Sequence, residues 1–172
     1  MGRSFGGYAA LQTAIRLKEK VAGVISIYGP AHISELLASM PTEWSGTAES
    51  IAQRVGDWRT ATGRDFLLSS SPCSYVEHID CPVLLIHGEQ DRRVPLSQSR
   101  DLAQQLLELK KHVACIEVAE MGHGLNDFWS WEGTYQAVTG FLAMQISGKK
   151  MGEEFLPKDN RFRFGAISVP PS

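Results

Sequence analysis

Cysteine is scarce in this sequence, and the three present, Cys73, Cys81 and Cys115, form no Cys-x-x-Cys pair. An odd, scattered set of thiols supports neither a disulfide scaffold nor a zinc knuckle, and reads as reduced, mostly buried side chains in a cytoplasmic protein. No apolar run reaches the roughly eighteen residues of a membrane span, and the first residues lack the basic-then-apolar pattern of an export signal. Membrane association is not expected. An excess of one charge is also lacking: 17 Lys and Arg against 19 Asp and Glu leave a net charge of −2. A polyanion would meet no general attraction, and nucleic acid is not an expected partner. No pair among His32, His78, His87 and His112 has metal-ligand spacing, so a metal is not expected; no other cofactor is expected.

What is present suits a soluble domain with a core: 172 residues, of which 43% are hydrophobic and 21% charged, about one domain by size. From Phe5 to Lys20 apolar residues recur at Tyr8, Leu11 and Ile15, the spacing of a helical stripe. Val21–Tyr28, Pro82–His87 and Val113–Val118 are nearly continuous apolar runs, which predicts strands covered on both faces. Leu102, Leu106 and Leu109 mark a helix between the second and third runs, with Ser97 available as its N-cap. Phe128, Trp131, Tyr135, Val138 and Leu142 repeat at three and four as the apolar stripe of an amphipathic helix ending near Gly148. Strands alternating with helices predict an α/β fold: three parallel strands in sequence order with helices on both faces. Residues 31–81, too long for a plain connection and dotted with Trp44, Trp58, Phe66 and Tyr75, are expected to form a helical cap. The pattern thus divides into an α/β domain over 1–148 and a C-terminal tail over 149–172, which either drapes on the surface or forms a short strand at Phe162 and Phe164.

Gly2-Arg3-Ser4-Phe5-Gly6 fits Gly-x-Ser-x-Gly, the sharp strand-to-helix turn that lifts a serine hydroxyl into the open. Gly2, Gly6 and Gly7 would relieve the turn and let the helix pack close to its strand. A serine hydroxyl needs a histidine to take its proton and a carboxylate to orient that histidine. Asp91 lies just past the end of the second run, and His123, between Gly122 and Gly124, lies just past the third. Both fall at the carboxyl edge of the sheet, where open α/β sheets carry their sites. Taken singly, Asp91 could be only a turn residue and His123 only a loop residue; serine, acid and histidine in this order are the order of α/β-hydrolases. His87, inside an apolar run, is expected to be a satisfied core residue, and His32, His78 and His112 solvated.

The strings GRSFGGYAAL, SPCSYVEHIDCPVLLIHGEQDRRVP and the GHG loop, with RVGD at Arg54–Asp57, resemble the catalytic domain of the prolyl oligopeptidase family of serine peptidases. The resemblance runs from Met1 to about Gly148 and is nearest the acylaminoacyl-peptidase and dipeptidyl-peptidase branches. It implies an α/β-hydrolase fold, Ser4 as nucleophile, Asp91 as orienting acid, His123 as general base and the Phe5 backbone N–H as an oxyanion donor. It also implies a peptide or acyl-amino-acid substrate cleaved through an acyl-enzyme. The family's catalytic domain has an eight-stranded sheet, and the strand leading into the nucleophile turn is expected to be missing here. On that expectation the terminus carrying Ser4 is mobile, the chain is weakly active or inactive, and Val21–Tyr28 is an open edge available for self-association. A carboxylesterase of the same fold and a catalytically silent interaction module are the alternatives.

Overall fold

A computed structural model describes residues 1–147 and 156–167. Its sheet has five strands in sequence order: β1 (Gly2–Arg3), β2 (Val24–Ile27), β3 (Val83–Gly88), β4 (Val113–Val118) and β5 (Phe162–Ile167). The first four are parallel, and β5 runs antiparallel to β4 with an irregularity at Cys115/Ile116. The three expected strands are therefore present in the expected order and direction, and two more flank them. The strand leading into Ser4 is not missing. Two residues are too few to show an apolar pattern, yet Gly2 and Arg3 pair with Ser26 and Ile27 through the backbone. That pairing anchors the terminus that was expected to be mobile, and it covers half of the β2 edge that was expected to be open. At the other end, part of the expected tail adds to the sheet, in line with the strand alternative at Phe162 and Phe164.

Each central strand alternates its side chains between two cores, as strand geometry requires. Val83, Leu85, Val113 and Cys115 pack with Leu11 and Ile15 of α1 (Phe5–Leu17) and with Leu102 and Leu106 of α5 (Ser97–Glu108). Leu84, Ile86, Ala114 and Ile116 pack with Val138, Phe141 and Met144 of α6 (Phe128–Ser147) on the opposite face. Ser97 is not the N-cap of α5. Leu96 already has helical backbone, and the chain turns in through Pro95, whose carbonyl accepts from Gln98 N–H at 3.0 Å. Leu109 closes that helix and is exposed.

The stripe read for α6 faces the wrong way. Phe128, Trp131, Tyr135 and Leu142 are exposed, whereas Ser130, Gly133, Thr134, Ala137, Val138, Phe141 and Met144 are buried. Where α6 meets β5 its inner face is small: a Cβ on Gly133 would sit 2.3 Å from the Phe162 ring. Small residues, not large ones, are what close packing demands at that contact.

The expected cap forms from α2 (Ile33–Ala38), α3 (Ser45–Arg54), α4 (Ala61–Ser69) and a kinked 3₁₀ segment, Pro72–His78. It is tied down by polar contacts. The Gln98 side-chain carbonyl accepts from Ala31 and His32 N–H at 3.0 and 2.7 Å, and Tyr8 and Gln12 both donate to the Ser70 carbonyl. His32, expected to be solvated, caps α2 by accepting from Glu35 N–H at 3.3 Å.

Candidate active site

Ser4 stands between β1 and α1 with φ 52° and ψ −122°, a conformation a non-glycine residue adopts only under constraint. The constraint is local. Ser4 N–H donates to the Ile27 carbonyl at 2.9 Å, and the Ser4 carbonyl accepts from Gly7 and Tyr8 N–H at 2.9 and 3.1 Å. Gly2 is obligatory, since a Cβ there would lie 2.1 Å from the Gly6 carbonyl oxygen. At Gly7 a Cβ would meet Ser26 Oγ at 2.6 Å and Gly29 Cα at 2.9 Å, so α1 can approach β2 only without a side chain there. Gly6 differs from the expectation for the turn glycines: a Cβ on it would meet open space. Phe5 begins α1, where first-turn N–H groups have no acceptor within the helix.

The three residues singled out by order along the chain are brought together. His123 Nδ1 lies 2.7 Å from Asp91 Oδ2, and His123 Nε2 lies 2.8 Å from Ser4 Oγ. A carboxylate only accepts, so Nδ1 carries the proton, which leaves Nε2 free to accept from the Ser4 hydroxyl. The Asp91 side chain has no exposed surface, and that of His123 has 13%. Asp91 is also the turn residue of the simpler reading: its Oδ1 accepts from Arg93 and Val94 N–H at 2.8 and 2.9 Å. Burial pushes its carboxyl up, but the bonds from His123 and the two backbone N–H groups, with His87 Nε2 nearby at 3.5 Å, outweigh that and hold it well below the usual carboxylate range.

His87 is the satisfied core residue it was expected to be. Its Nε2 is 2.8 Å from the Val94 carbonyl, an acceptor, so Nε2 donates there and Nδ1 accepts from Ser99 Oγ at 2.7 Å. This pair buttresses the loop that holds Asp91. Among the described residues no group of three or more His, Cys, Asp or Glu could hold a metal ion.

Beside Ser4 and His123 opens a cavity of about 480 Å³ under the cap. Its walls include Ile33, Leu36, Leu37, Met40, Trp44 and Ile51, with Arg93 the charged residue at its margin. Arg93 lays its guanidinium over the Trp44 ring, 4.4 Å from the centroid. On the sheet side, the Tyr28 ring lies 4.8 Å from the His123 imidazole, centroid to centroid. Sequence reasoning placed the cap and its Trp44 but singled out neither Tyr28 nor Arg93. Arg93 had a signal, two residues past an aspartate that makes an Asx-type turn; Tyr28 had none, because the ring it meets, His123, lies on a loop distant in sequence.

The BD-FAE family model matches residues 4–106, more than half of the chain. Dipeptidyl aminopeptidase BIII of Pseudoxanthomonas mexicana is 29% identical over 172 residues, covering 99% of this chain and 25% of that protein. Dipeptidyl peptidase family member 6 of Caenorhabditis elegans is 29% identical over 150 residues, 87% of this chain and 20% of that protein. The structure of Pyrococcus horikoshii acylaminoacyl peptidase superposes with a TM-score of 0.74 at 22% identity, covering 90% of this chain and 25% of that one. The chain thus spans a fifth to a quarter of the length of these proteins. It belongs to the BD-FAE family, has the α/β-hydrolase fold, and has as its relatives the peptidases of the prolyl oligopeptidase family that its sequence resembles.

Proposed function

We propose that this chain carries the reacting residues of a serine peptidase that cleaves peptide or acyl-amino-acid bonds through an acyl-enzyme. The observation that carries the reading is the unbroken line Ser4 Oγ, His123 Nε2, His123 Nδ1, Asp91 Oδ2, at 2.8 and 2.7 Å. Ser4 attacks the carbonyl carbon as His123 Nε2 takes the hydroxyl proton, and Asp91 stabilises the imidazolium that results. The Phe5 N–H, at the start of α1, donates to the oxyanion as the carbonyl oxygen gains charge. His123 returns the proton to the leaving amine, and a water activated by the same nitrogen then releases the acyl group. The cavity beside Ser4 takes the side chain next to the scissile carbonyl, and its walls favour an apolar one. A reducing, cytoplasmic setting accords with Cys73, Cys81 and Cys115 all being free.

The test is covalent labelling and turnover. The protein should react with a fluorophosphonate at Ser4 and hydrolyse an acyl-aminoacyl anilide with an apolar residue at the cleaved bond, and Ser4→Ala should abolish both. Turnover of a short nitrophenyl ester with none of the anilide would move the assignment to a carboxylesterase. Labelling that survives Ser4→Ala would remove Ser4 as nucleophile.

A further inference from the structure

His123 sits on a loop flanked by Gly122 and Gly124, and its two hydrogen bonds leave one freedom unconstrained. Bonds at Nδ1 and Nε2 fix where those atoms point, but the imidazole can still tilt about the line joining them. A neighbour packed against the ring is what removes that tilt, and Tyr28 packs there. Its ring centroid is 4.8 Å from that of His123, at an interplanar angle of 56°. Tyr28 is 4% exposed, so that neighbour is itself packed in place.

The backbone at this position is independent support. Tyr28 follows β2 directly and has φ 41°, in the left-handed region that bulky residues avoid. It is held there as Tyr28 N–H donates to the Ile86 carbonyl at 2.7 Å. Among the described residues five non-glycine positions have positive φ, and Ser4 and Tyr28 are the two that meet His123. A glycine or asparagine would satisfy this backbone more easily, so the aromatic ring sits here against local preference. Its phenol is hydrogen-bonded to Arg3. Tyr28 is not among the residues lining the cavity at Ser4. Burial pushes the phenol up, and the charge and hydrogen bonding of Arg3 oppose that. Arg3 in turn lies over the Trp131 ring of α6, 5.1 Å from the centroid.

We propose that Tyr28 is a positioning residue for the general base: its ring packs against that of His123 and fixes the imidazole plane in which Nδ1 meets Asp91 and Nε2 meets Ser4. The inference rests on Ser4, His123 and Asp91 acting as a triad. The ring is the working part, and the hydroxyl serves only to seat it.

Three variants in the full protein test it: Tyr28→Phe keeps the ring, Tyr28→Asn keeps the left-handed backbone without the ring, and Tyr28→Leu keeps apolar bulk without an aromatic face. Tyr28→Phe should hold kcat within about twofold and retain the low-field proton resonance of His123 Nδ1. Tyr28→Asn and Tyr28→Leu should lower kcat and fluorophosphonate labelling about tenfold, with KM within about twofold and the low-field resonance broadened. The proposal is overturned if either ring-less variant labels and turns over like the parent with that resonance intact, or if Tyr28→Phe loses as much as they do. Should the parent protein itself fail to label at Ser4, the triad reading falls, and the resonance in the three variants still decides whether Tyr28 orients His123.

Discussion

Asp91 divides its work between its two oxygens, and that division decides what a conservative change does. Oδ1 is occupied by the N–H groups of Arg93 and Val94, and Oδ2 by His123. An asparagine can keep the turn through its carbonyl oxygen, but it then turns an NH₂ toward His123. The imidazole must accept at Nδ1 and carry its proton on Nε2, which can no longer take the proton of Ser4. Asp91→Asn should therefore leave the fold intact and lower kcat by roughly ten-thousandfold, the scale of a wrong tautomer in a serine triad. Its effect on stability depends on pH in a definite direction. The folded protein holds this carboxyl below its unfolded value, so the stabilisation is complete above the unfolded pKa, about 3.9, and is lost as pH falls further. Urea unfolding should show the widest gap between parent and Asp91→Asn near neutral pH, narrowing below about pH 4. A gap that widens on acidification would contradict the charged, hydrogen-bonded state assigned to Asp91.

Helix α6 shows where a sequence pattern and a packed structure part. The spacing of Phe128, Trp131, Tyr135 and Leu142 is that of a helix, and a helix is there; which side faces the sheet is set by the shape of the contact. Gly133 and Ala137 allow the close approach, and Phe162 fills the space a side chain would take. Glycine substitutions separate this contact from helix propensity. Gly46, in α3, has nothing near a would-be Cβ, so Gly46→Ala should stabilise by about 0.5 kcal/mol. Gly133→Ala gains the same propensity but meets the Phe162 ring, and a net loss of about 1–2 kcal/mol is expected in urea unfolding. A gain at both positions would mean that α6 does not rest on β5 as described. The central strands were legible because burial on both faces leaves a continuous apolar run, Asp91 and His123 because each follows the end of such a run, and Ser4 because glycines flank it in the Gly-x-Ser-x-Gly pattern. β1 was not legible, since it is held by backbone pairing alone, and Tyr28 was not, since its partner lies on another loop.

Across the whole molecule, the sheet sets the register and the cap shapes what can approach it. β1, β3 and β4 deliver Ser4, Asp91 and His123 to one edge. The cap meets that edge through Trp44, and the residue it meets is Arg93, whose own N–H holds Asp91 Oδ1. One residue thus touches both the pocket roof and the acid. The energies at its two ends differ: a cation–π contact of this exposed kind is worth about 0.5–1 kcal/mol, whereas the Asp91 loop is also braced by Val94 N–H and by the His87 bond to the Val94 carbonyl. Removing the Trp44 ring should therefore open the pocket while leaving the acid in place. Trp44→Ala should raise KM for an anilide with a large apolar side chain about three- to tenfold, as expected for losing part of an apolar pocket wall. The kcat on a small ester that does not fill the pocket should stay within about twofold. The two substrates, measured side by side on the parent and the variant, separate a wall from a brace. If kcat falls equally on both while KM stays, Trp44 acts through Arg93 on the Asp91 loop, and the cap helps hold the acid as well as bounding the substrate.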